Sequence, residues 1–185
     1  MLTARTLAEA QVYVSLSTAA DSSVPPTAPP PIVPGPNLIE GEDAWTVAST
    51  AGEITVPYAS EDAARTIGAL FGLGVSQLVD AAQWAVVAAT YARRALEADL
   101  AYNGGPDEDR EQVEQNWQAA AEAVGEAMKF LPEGADDAPA EAVWSALGRE
   151  SRANNLQLLT RAKLEDDLEY YEGTLSDFRA LYGES

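Results

Sequence analysis

Between Ser76 and Leu131 the chain carries two apolar patterns at helical spacing with one glycine-rich break between them, and few folds accommodate that arrangement. In the first pattern Leu78, Ala82, Ala85, Ala89, Ala92 and Leu96 form one stripe, and Trp84, Val87, Tyr91, Ala95, Ala98 and Tyr102 form another. A helix that is apolar on two sides belongs in the middle of a protein, so residues 76–102 are predicted as the central helix. The break, YNGGPDED, places Asn103 and two glycines at a helix end, then Pro106 and acids at a helix start, the order that suits the helix dipole. In the second pattern Val113, Trp117, Ala120, Val124, Ala127 and Leu131 recur on one face, and the spacing turns Glu114, Glu122 and Glu126 away from it, toward solvent.

Downstream, the connector PEGADDAP leads to a short helix expected around Pro139 to Arg152, anchored by Val143, Trp144 and Leu147. The last helix carries Leu164, Leu168, Tyr171, Leu175 and Phe178, with a break expected at Gly173, where Thr174 and Asp177 resemble a capping box. Upstream, residues 1–17 read as a helix or a strand: Thr6 is placed to cap TLAEA, while Val12, Val14 and Leu16 alternate. Residues 18–43 read as a proline-rich loop or linker, with seven prolines between Pro25 and Pro36 removing backbone donors. Residues 44–185 read as a mainly helical domain that opens with a β-hairpin at 44–59, Trp45 and Val47 facing Ile54 and Val56. The fold expected is α+β, mainly α: an irregular bundle of four to five helices with a small N-terminal β-hairpin.

Charge and composition narrow the function classes. Thirty Asp and Glu against 11 Lys and Arg give a net charge of −19, with no histidine and no cysteine. Disulfides, thiolate or imidazole metal sites, cysteine nucleophiles and Ser-His-Asp triads all need residues that are absent. An acidic surface repels phosphate, so neither direct nucleic-acid binding nor an anionic membrane partner is expected. The apolar stretch from Ile67 to Leu96 contains Gln77, Asp80, Gln83, Arg93 and Arg94, which hydrocarbon would not accept. The start lacks the continuous apolar core of a secretory signal, being broken by Glu9 and Gln11, and a cytoplasmic location is expected.

The carboxylates Glu165, Asp166, Asp167, Glu169 and Glu172 on the last helix are the first candidate site. They do not converge as a hard cation requires, so no metal or other cofactor is expected, and their alternatives are a solvated face or a contact for a basic protein. Trp45, beside Glu40, Glu42 and Asp43, is the second candidate, an aromatic flanked by charge, while the other tryptophans read as core anchors. The acidic loops at 107–111 and 132–137 lack EF-hand spacing, and FGLGVSQL fits neither a nucleophile elbow nor a phosphate loop.

Thr6 to Leu16, TLAEAQVYVSL, together with SQLVDAAQWAVVA, KFLPEGADDAPAEAVWSALGR and the final RAKLEDDLEYY, resembles a group of uncharacterised proteins from high-GC bacteria. Those proteins carry a zinc-ribbon-like cysteine region after the first helix. Here that region is proline-rich and cysteine-free, and the resemblance implies that the metal has been lost. The expected function is a non-catalytic acidic module that binds a basic protein, as immunity, antitoxin-like or adaptor proteins do. A nucleic-acid mimic that inhibits a DNA-binding protein, and an enzyme using carboxylates or a metal, are the alternatives. The charge itself points to binding, because residues from Pro106 onward hold 19 acids and 7 bases, a net −12 of the −19.

Overall fold

The alternating β-branched residues of the 44–57 region pair as the spacing predicts, with Trp45 opposite Val56 and Val47 opposite Ile54. In this computed structural model, which describes residues 2–20, 38–50 and 52–183, the hairpin is the centre of a four-stranded mixed sheet. Strands β1 (Leu2–Thr3), β2 (Leu38–Glu40), β3 (Ala44–Ser49) and β4 (Gly52–Pro57) lie in the order β1-β4-β3-β2, β1 running parallel to β4. Strand β2 falls within the 18–43 stretch expected as loop, and the prolines themselves lie outside the described residues. Ile54 and Val56 are buried on one face of the sheet, whereas Thr3, Thr55, Thr46 and Ile39 line up across the other.

The N-terminal segment is helical after β1. Helix α1 spans Leu7–Ala20, and the Thr6 hydroxyl accepts the Glu9 N–H as a cap should. Helix α2 (Tyr58–Thr66) follows β4 without a gap, where the sequence pattern had carried the strand through to residue 59. Pro57, fixed in an extended conformation, ends the ladder and starts the helix.

Helix α3 (Ala81–Ala101) begins five residues later than the apolar pattern. Asp80 caps it, its carboxylate accepting the Gln83 N–H while the Gln83 side chain accepts the Asp80 N–H. The residues before it form a turn in which the Ser76 hydroxyl takes the N–H groups of Leu78 and Val79. Helix α4 (Asp107–Met128) packs along α3, and α6 (Arg161–Tyr182) packs along α4. Trp84 and Trp117 fill this core, Trp84 against Phe71 and Trp117 against Tyr171. The predicted break at Gly173 is absent: α6 continues, and the Thr174 hydroxyl donates back to the Tyr170 carbonyl. Tyr171, Leu175 and Phe178 are buried on both sides of Gly173, so packing carries the helix across it.

The region expected as one helix around 139–152 is a 3-10 turn (Ala140–Ala142) followed by α5 (Ala146–Asn154), capped by Ser145. Trp144 sits between them, 41% exposed with its ring against Phe130, so it is not the core anchor expected; Trp45 is only half-buried. A sharper correction concerns α4. Glu126, expected to face solvent, is buried between Arg5 and Lys129. Glu122 accepts the Leu70 N–H, and Glu114 holds Arg179, so each of the three glutamates faces a protein partner. The result is an α+β, mainly helical fold with six α-helices among the described residues. None of these helices is long and apolar enough to cross a membrane.

Candidate functional site

Thr160 caps α6 by accepting the Lys163 N–H, and the apolar residues that follow press the helix onto α4. Much of the rest of α6 faces outward. Glu165, Glu169 and Glu172 stand at i, i+4 and i+7 on that outer surface, with Asp166 beside them, and all four are exposed. Asp167 departs from the group. It lies on the flank toward the core, half-buried and paired with Lys163 four residues earlier. Its charge adds to burial in pushing the adjacent Tyr171 hydroxyl up to about 12, with Tyr170 contributing further. Glu165 has Arg161 as a loose partner at 3.9 Å.

Trp45 occupies a second place. Its ring meets Tyr58 edge-on with centroids 4.4 Å apart, and Glu40 lies directly across the ladder from it. The Tyr58 hydroxyl donates to the Gly41 carbonyl at 2.8 Å, which holds the β2–β3 turn over the ring. Burial, and then the negative charge of Glu40 and Asp43, raise the pKa of Tyr58 above its ordinary value. The sheet packs on α1 and α2, whereas α6 packs on α4, so Trp45 and the α6 carboxylates are carried by different parts of the fold. The structure groups Glu165, Asp166, Glu169 and Glu172 with one another and groups Trp45 with Glu40 and Tyr58.

The distribution of cations gives these acids their electrostatic setting. Arg110, Lys129, Arg152, Arg161, Lys163 and Arg179 each hold a carboxylate of the same chain. Arg161 and Arg152 are further committed to the 132–139 connector, donating to the carbonyls of Ala135, Pro132, Ala138 and Pro139. Of the outer acids of α6, Glu165 has Arg161 as its one loose partner, and among the described residues Asp166, Glu169 and Glu172 have no ion pair. The densest internal cluster, which sequence reasoning missed, joins Arg5 to Glu9 and Glu126 at 2.8 Å each, with Lys129 on the far oxygen of Glu126. Burial on its own would lower the Arg5 pKa, yet hydrogen bonds and charge from Glu9 and Glu126 raise it above the ordinary value. Arg5 also donates to the Leu73 and Gly74 carbonyls, and Lys129 to that of Gly72, so the cluster fastens the 70–75 loop. Among the described residues no group of three or more carboxylates could hold a metal ion.

Fold and site together define a mainly helical acidic protein whose negative face is one helix deep in exposed carboxylates. No protein-family model matches the chain, and neither the curated proteins nor the solved structures contain a match.

Proposed function

We propose that this chain is a non-catalytic binding module that engages a basic protein through the outer face of α6, in the manner of an immunity, antitoxin-like or adaptor protein. The observation that carries the reading is the contrast on one helix: Glu165, Asp166, Glu169 and Glu172 are exposed with only Glu165 loosely paired, to Arg161, while Lys163 and Arg179 are held by Asp167 and Glu114. A fixed negative stripe of this kind accelerates encounter with a basic surface and repels acidic competitors. The test is affinity capture from lysate of the native host at low and moderate salt, comparing the natural chain with one carrying E165Q, D166N, E169Q and E172Q together. A partner with a basic surface should persist at moderate salt on the first chain and be lost from the second. Equal recovery on both chains would remove α6 as the binding face.

A further inference from the structure

Strand β2 ends the sheet, and among the described residues no strand pairs with its outer side. Two hydrogen bonds fix which of its backbone groups look outward. The Gly41 N–H donates to the Ala44 carbonyl, and the Tyr58 N–H donates to the Asp43 carbonyl. Bonded residues alternate along an antiparallel ladder, so Ile39 turns its N–H and C=O toward Thr46, and Leu38 and Glu40 turn theirs to the free edge. Side chains are sorted by the same register. Glu40 shares a face with Trp45, while Ile39, 57% exposed, stands on the opposite face beside Thr46.

Edges of this kind are templates for another strand unless something blunts them. The charge here is selective: Glu40 and the adjoining Glu42 and Asp43 are all exposed acids on a chain of net charge −19. They oppose a second copy of this chain and favour a strand carrying positive charge. Burial raises the pKa of Tyr58, and Glu40 and Asp43 add to that rise.

We infer that the free edge of β2 accepts an extended segment of the basic partner as an added strand, with Lys or Arg opposite Glu40 and apolar residues opposite Ile39 and Leu38. This rests on the reading that the partner is basic and adds a second contact to it. Main-chain bonds to Leu38 and Glu40 supply affinity, and the cross-strand pair at Glu40 supplies selectivity.

The probe is the capped hexapeptide acetyl-Thr-Lys-Val-Val-Lys-Thr-amide, which presents lysine to Glu40 and valines to Ile39 and Leu38 in either strand direction. Titrated into the full chain, it should slow amide exchange at Leu38 and Glu40 by roughly tenfold or more at saturation. Glu40→Pro removes the outward N–H at an edge position that tolerates proline, and should weaken binding by about tenfold beyond Glu40→Gln. The same peptide with N-methylated valines, which needs no variant, should bind as weakly. Binding that leaves Leu38 and Glu40 exchange unchanged, or that survives N-methylation, overturns strand addition. If the peptide perturbs Glu165 to Glu172 instead, strand addition falls while the α6 reading stands. Slow exchange at Leu38 and Glu40 in the peptide-free chain also overturns it, naming an internal occupant if dilution has no effect and a second copy if dilution restores exchange.

Discussion

Glu126 is 4% exposed and contacts two cations, so removing its charge leaves largely buried Arg5 with Glu9 alone and part-exposed Lys129 without its carboxylate. Breaking one side of a buried ion pair costs about 3 kcal/mol or more, whereas an exposed surface change costs about 0.5 kcal/mol or less. Glu126→Gln should therefore lower stability in urea unfolding far more than Glu111→Gln, which lies on the exposed side of the same helix. A near-equal loss would show that the cluster is solvated. Tyr171 makes the opposite kind of statement, because its buried hydroxyl is stable only when protonated. Its folded pKa, about 12, lies above the value of the unfolded chain near 10, so the native state holds the extra proton between them. Its stabilisation is complete below about pH 10 and is lost as pH rises toward 12. Denaturation at pH 8 and at pH 11 should show a smaller alkaline loss for Tyr171→Phe than for the natural chain, by on the order of 1 kcal/mol. An identical loss would remove Tyr171 as the cause.

Among the elements, apolar spacing made α3, α4, α6 and the central hairpin legible, because each buries a face whose period is written locally. What it did not reveal is where the polar residues go. Val113, Trp117 and Val124 mark one core face of α4, but Ala119, Ala120, Ala121 and Ala123 are buried as well, on several sides of the helix. That alanine run was the available signal that neighbours approach α4 all round, and it would have placed Glu122 and Glu126 indoors. Their partners, Leu70 and Arg5, come from distant parts of the chain, and no helical period encodes them. Helix α2 was missed because Pro57 ends a strand and begins a helix with no intervening turn residues. For the candidate site, the outward carboxylates of α6 were readable from spacing, while the inward position of Asp167 depended on how the helix packs. Gly173, which the local sequence marks as a break, is mid-helix, with open space where a Cβ would stand. Gly173→Ala should stabilise the chain by about 0.5–1 kcal/mol and raise the melting temperature. A lower melting temperature would mean that α6 needs a flexible joint there.

For the molecule as a whole, the balance between internal ion pairs and external repulsion decides how it responds to salt. With a net charge of −19, screening should relieve more repulsion than attraction. Raising salt from about 0.01 M to 0.15 M, which shortens the screening length from roughly 30 Å to 8 Å, should raise the melting temperature. A fall would show that surface ion pairs outweigh the repulsion. The Arg5 cluster is shielded from this effect by burial, and it has a bearing on the history of each molecule. Arg5 and Glu126 are separated by 121 positions, and β1 likewise waits for β4 before it has a neighbour. Because Glu126 and β4 are made long after Arg5 and β1, these contacts can close only late in synthesis, and a chain cut before α4 would lack the clamp that fastens the 70–75 loop.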